Sequence, residues 1–156
     1  MFLRPTALVS SLILASISAF MLSGCSVVNI NGSLRTTDDE ICVVPPEWDN
    51  DDVHASLVQK LTQKGFHVTE KPAGTPPGAC RQTIVYQWMR QRYWVPAVVK
   101  QYGIDMRLYV DGAYRANASF NPNRNLVSPH VRFVRFERYL GRTLDRFFPG
   151  RPLVGK

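Results

Sequence analysis

IDMRLYVDGAYRANASF, residues 104–120, consists of two alternating runs joined by Asp111-Gly112. Ile104, Met106 and Leu108 alternate with Asp105, Arg107 and Tyr109, the period of a strand that buries one face. Asp-Gly between two such runs is a strong hairpin signal. A two-residue loop of Asp111 and Gly112 would set Leu108 opposite Arg115 and Met106 opposite Asn117, pairing apolar with polar. A three-residue loop of Val110, Asp111 and Gly112 sets Leu108 opposite Tyr114, Met106 opposite Ala116 and Ile104 opposite Ala118. One residue of slip moves every side chain to the other face, so the three-residue loop is expected, with Gly112 as the left-handed residue of a bulge.

Upstream of the hairpin, Thr83 to Gln91 reads as a strand with Ile84, Tyr86 and Trp88 on one face. The Pro/Gly-rich loop KPAGTPPGA, residues 71–79, leads to Cys80. Residues 66–70 form another short alternating run. Before it, Val53, Leu57 and Leu61 recur every four residues behind Asp49, Asn50, Asp51 and Asp52, which offer N-caps and negative charge at the positive end of a helix. Lys60 and Lys64 fall in the last turn of that helix and Gly65 suits its C′ position. Ile41-Cys42-Val43-Val44, stopped by Pro45-Pro46, reads as the first strand. Downstream of the hairpin, a helix is expected between Ser128-Pro129 and Pro149. Phe133, Phe136, Leu140, Leu144 and Phe147 share one face of it, and Arg135, Arg138, Arg142 and Arg146 share the opposite face. The order β-α-β-β-β-β-α predicts an α+β fold, an antiparallel-rich sheet with two helices on one face.

Charge is unevenly distributed along the 156 residues, whose formal net charge is +7. Asp38, Asp39, Glu40, Glu47, Asp49, Asp51 and Asp52 crowd one short stretch, where helix capping accounts for them better than calcium binding, whose ligand spacing is absent. From Arg81 onward there are 14 bases against four acids. Such a half suits anionic partners. His54, His67 and His130 lack ligand spacing, so no metal is expected. No nucleophile elbow, phosphate-cradling loop or HExxH motif is present, and the chain is read as a non-enzyme without cofactor. The arginine face 135/138/142/146 is the candidate surface for an anionic partner, against the alternative of a solvated helix face. Trp88, Arg90, Arg92 and Trp94 are a candidate aromatic and basic surface, against the alternative that these rings fill space between sheet and helices.

The N-terminus carries Arg4, then an apolar run from Ala7 to Leu22, then Leu22-Ser23-Gly24-Cys25. The run is short for a spanning helix, which needs roughly 20 apolar residues. The pattern is that of a secretory signal, and its ending resembles the lipobox of bacterial lipoproteins; an uncleaved anchor helix is the alternative. The resemblance implies cleavage before Cys25 and a covalent lipid there, S-diacylglycerol with an N-acyl group. Residues 1–24 are then signal peptide, 25–40 acylated terminus and tether, with room for a short strand at the tether's start, 41–150 one periplasmic domain and 151–156 a C-terminal tail. With Cys25 acylated, Cys42 and Cys80 remain. A disulfide is the default in an oxidising compartment, and two free buried thiols are the alternative.

Ile41-Cys42-Val43-Val44, Lys64-Gly65-Phe66-His67-Val68, Cys80, Tyr86, Trp88, Asp105-Met106-Arg107-Leu108-Tyr109, Asp111-Gly112 and Phe147-Phe148-Pro149 together resemble a group of small uncharacterised proteobacterial lipoproteins, the Sbal-type family. That family has aspartate directly after the tryptophan corresponding to Trp94, where this chain has Val95-Pro96. The resemblance implies paired cysteines and no known activity. The expectation is a lipid-anchored envelope module facing the periplasm, at the outer membrane given Ser26 after the acylated cysteine. Its partners are the membrane and an anionic lipid, lipopolysaccharide or envelope protein, not nucleic acid. The alternative is an accessory subunit of an envelope transporter, secretion or outer-membrane assembly machine.

Overall fold

The computed structural model describes residues 28–90, 102–121 and 136–151. Six strands form one mixed sheet: β1 (Val28–Asn31), β2 (Glu40–Val44), β3 (His67–Glu70), β4 (Gln82–Arg90), β5 (Tyr102–Val110) and β6 (Ala113–Phe120). Their spatial order is β1-β6-β5-β4-β2-β3. Helix α1 (Asp51–Gln63) follows β2, a 3-10 turn (Pro77–Ala79) precedes β4, and α2 (Phe136–Phe147) follows β6. The α+β class stands, but the sheet is less uniformly antiparallel than the alternation of β4 to β6 implied. β2 runs parallel to both β3 and β4, while β4, β5, β6 and β1 are antiparallel neighbours. The parallel pairing follows from α1, since a helix between β2 and β3 returns the chain to the end where β2 began.

Each element has a local cause. The four residues Ile41 to Val44 are all buried, as a continuous apolar run requires of a strand covered on both faces. Ile41 and Val43 join the core beneath the helices; Cys42, on the other face, is bonded to Cys80. Asn50 caps α1 by accepting from the Val53 N–H at 3.2 Å, and Asp51 and Asp52 occupy its first turn. Gly65 lies past its end at φ 81°. Val53, Leu57 and Leu61 of α1 and Phe136, Leu140, Leu144 and Phe147 of α2 are buried against Ile84, Tyr86, Ile104, Met106, Leu108 and Phe120. The two helices touch, so they share one face of the sheet. No helix among the described residues is long and apolar enough to cross a membrane.

Three expectations are corrected. The first concerns the stretch 25–40: the short strand at its start is present, but the described part of the stretch is packed on the domain and is not a free tether. Val28–Asn31 is an edge strand paired with β6, and Leu34 donates to the Phe147 carbonyl at 2.9 Å. Val28 and Ile30 have apolar partners against the core to pack on, which a polar tether would lack. Gly32 permits the approach, because a Cβ there would meet Ala116 Cβ and the Arg115 carbonyl at 3.0 Å.

The second concerns the hairpin. The loop has two residues: Asp111 (φ 50°) and Gly112 (φ 78°) are both left-handed, the geometry of a type I′ turn. Val110 faces Ala113 and Tyr109 faces Tyr114, after which a bulge puts Leu108 opposite Ala116, Met106 opposite Ala118 and Ile104 opposite Phe120. The apolar faces do meet as reasoned, but a bulge at Arg115 brings them together and not a longer loop.

The third concerns residue 151. Arg151 is a clamp, not part of a free tail. Its guanidinium donates to the carbonyls of Thr36 (3.1 Å), Gly65 (3.4 Å) and Asp38 (2.8 Å) and to Asp39 Oδ1 (2.7 Å). It also lies 4.3 Å above the Phe66 ring.

Candidate functional site

β2, β3 and β4 all end at one end of the sheet, and β5 and β1 begin there. The row Val28, Phe120, Ile104, Trp88 crosses four strands at that end. The loop after β2 returns over the row. Pro45-Pro46 stiffens its start, and Trp48 follows with its carbonyl accepting from Trp88 Nε1 at 2.7 Å. Trp48 is 83% exposed. Its neighbours turn inward: Trp88 packs edge to face with Tyr102, and Tyr102 likewise with Phe136. Tyr102 donates to Asp52 Oδ2 at 3.0 Å. Burial, then that carboxylate, raises the Tyr102 hydroxyl above its ordinary value.

Behind this loop lies a polar cluster that spans long sequence separations. Tyr86 is fully buried and donates to Asp49 Oδ1 at 2.7 Å. His54 Nδ1 stands 2.8 Å from the Tyr86 oxygen and 3.2 Å from Asp49 Oδ2, and Nε2 stands 2.6 Å from Glu70 Oε2. Tyr86 has one proton and gives it to Asp49, so Nδ1 donates to the tyrosine oxygen. Nε2 faces the Glu70 carboxylate. Burial above all, then the hydrogen bond to Asp49 and the charges of Asp49 and Glu70, pushes the Tyr86 hydroxyl far up. A phenol so held stays protonated, and both imidazole nitrogens are occupied. The cluster braces the β2–α1 loop, β3 and β4 against one another. Sequence reading missed it; Asp49 was seen as a capping group, and nothing local links it to Tyr86 37 residues away.

The candidate arginine face lies on the outer side of α2 where it is described. Arg138, Arg142 and Arg146 are exposed and make no ion pair among the described residues. Arg135 lies outside the described residues. Of the aromatic and basic surface, Trp88 is partly buried against the core and Arg90 is exposed at the end of β4, while Arg92 and Trp94 lie outside the described residues. So does Cys25. Trp48, which the sequence reading passed over, is the exposed ring at this end among the described residues. Cys42 and Cys80 form the disulfide. No group of three or more His, Cys, Asp or Glu side chains among the described residues is arranged to hold a metal ion.

No family model matches the chain, and no curated protein does. The Sbal-type resemblance therefore rests on its short motifs alone. Among solved structures the chain is similar to the PelC dodecamer from Paraburkholderia phytofirmans, at 15% identity and a TM-score of 0.51. That match covers 78% of this chain and 98% of that one. This likeness supports the α+β fold. A single-substitution variant of the same dodecamer matches at 14% identity and a TM-score of 0.48, over 83% of this chain and 98% of that one. A minor lipoprotein from Acinetobacter baumannii matches at 13% identity and a TM-score of 0.36, over 76% of this chain and 97% of that one.

Proposed function

We propose that the chain is a lipid-anchored, non-enzymatic module of the bacterial cell envelope, held by Cys25 at the outer membrane and facing the periplasm, whose α2 arginines engage an acidic envelope protein. The observation that carries the second half is the direction of α2. Phe136 packs on Tyr102 at the end of the sheet where β1 begins. Phe147 receives Leu34 and Phe148 packs on Phe66 toward the other end. Arg138, Arg142 and Arg146 therefore extend along the domain, about 12 Å at 1.5 Å per residue. A helix lying flat on anionic lipid would present all its arginines at one depth; this one leads away from the anchor. Acyl chains contribute about 0.8 kcal/mol per buried CH₂, so attachment does not need the arginines.

A photo-crosslinker at Arg138 or Arg142 in intact cells should give one stoichiometric protein adduct. Lipid or lipopolysaccharide adducts alone would move the partner to the membrane, and no adduct would leave a solvated helix face.

A second reading, a subunit of an envelope assembly, draws support from the fold shared with a chain that forms a dodecamer. Analytical ultracentrifugation of the detergent-solubilised protein separates a monomeric module from a higher assembly.

A further inference from the structure

We infer that Trp48 is a membrane-contact residue, its indole seated among zwitterionic headgroups of the bilayer that holds Cys25. The inference rests on the proposed acylation of Cys25 and adds an orientation of the domain. Val28 opens β1 opposite Phe120 and lies three positions after Cys25. Three residues reach at most about 10 Å, so the end of the sheet carrying Val28 is kept at the bilayer surface. Trp88 stands in the same row, three strand spacings away, about 14 Å. Its indole N–H fixes the Trp48 carbonyl at 2.7 Å. The end of the sheet that carries the anchor is thus also the end that presents Trp48.

Trp48 is placed for such contact. It is the most exposed large apolar side chain among the described residues, 83% against 52% for Tyr114. Its backbone is held on one side by Pro45-Pro46 and on the other by the Asn50 cap of α1, so docking the ring orders little chain. Tryptophan favours the membrane–water interface because its ring is apolar and its N–H polar.

The surrounding charge selects the lipid. Among the described residues, Glu47 and Asp51 are exposed on either side of Trp48, Asp49 and Asp52 are engaged with Tyr86 and Tyr102, and Arg90, at the end of β4, acts on Tyr102. Carboxylates beside an indole repel anionic headgroups and suit the ammonium of an ethanolamine or choline headgroup, which also binds the ring face.

The test uses the full mature lipidated protein on phosphatidylethanolamine/phosphatidylcholine vesicles whose acyl chains are brominated near the headgroup. Tryptophan emission should be quenched, the Trp48→Phe variant should lose most of that quenching, and high salt should leave it unchanged. Equal quenching of the wild type and Trp48→Phe would overturn the inference, as would quenching that requires anionic lipid. Mass spectrometry of the N-terminal peptide separates the two readings. An acylated Cys25 with an unquenched Trp48 removes this inference alone, and an unacylated Cys25 removes both. Circular dichroism of Trp48→Phe confirms that the exposed substitution leaves the fold intact.

Discussion

The two ends of the sheet are both rich in charge, and they use it differently. At the far end, Lys64 is buried, its Nζ donating to Asp145 Oδ1 at 2.7 Å and to the Arg151 carbonyl. Arg151 in turn spreads over residues 36–39, Gly65 and Phe66. That cluster closes the fold by joining the end of α1, the end of α2 and the approach to β2. At the near end, the Asp49–Tyr86–His54–Glu70 brace is satisfied internally, and an indole is left outside it. Charge in these two clusters therefore serves cohesion, and among the described residues the Trp48 ring and the outer face of α2 lie outside them.

The largest effect should come from ending the chain after Gly150. This removes the arginine clamp together with the carbonyl that Lys64 uses, leaving a buried ammonium with only Asp145. Urea denaturation should show a loss of roughly 3–5 kcal/mol, the range for breaking a buried ionic arrangement. Adding Lys64→Met to the truncated chain should recover part of the loss, since the orphaned charge goes and apolar volume stays. If the two changes destabilise additively, the far end is not the coupled cluster described.

Tyr86→Phe addresses the near end and should cost less, about 1–2 kcal/mol at neutral pH, because it removes one buried hydroxyl whose partners Asp49 and His54 retain some access to water. The pH dependence has a definite sign. The folded-state value of Tyr86 is raised, so its contribution is fully present below the ordinary tyrosine value of about 10 and is lost as pH rises beyond it. Above that pH the wild type should lose about 1.4 kcal/mol per pH unit through this group, and Tyr86→Phe should not. Parallel stability curves for the two proteins between neutral and alkaline pH would show that the phenol is not held as drawn.

How much of this was legible follows from range. The cap at Asn50, the stripe Val53/Leu57/Leu61, the alternation of β4 to β6 and, over Phe136–Phe147, the apolar face of α2 are local patterns, and the structure realises them; Phe133 lies outside the described residues. The hairpin was half legible: the demand that Leu108, Met106 and Ile104 meet apolar partners was right, but a turn and a bulge together can meet it, and sequence alone weighed only the loop. Lys64 looked like a charge complementing a helix end. It became a buried hydrogen-bond donor because Asp145, 81 residues on, comes to it. Arg151 and the His54 brace depend on such distant meetings and have no spacing to betray them. Trp48 had a signal, a tryptophan among acids and prolines, that helix capping absorbed.

Arg142→Glu should have the smallest effect on stability and the most specific effect on function. Arg142 is exposed and makes no ion pair among the described residues, so reversing it falls within about 0.5 kcal/mol, as surface substitutions do. The contrast with Arg151 is the point: the same side chain is a structural clamp where four acceptors converge on it and is left to solvent or a partner where none does. If α2 holds an acidic partner, Arg142→Glu turns an attraction into a repulsion and should abolish the crosslink formed from Arg138 while the melting curve stays in place. A shift in melting comparable to that of Tyr86→Phe would mean the arginine face belongs to the fold. An unchanged crosslink with unchanged stability would mean that charge on this face does not select the partner.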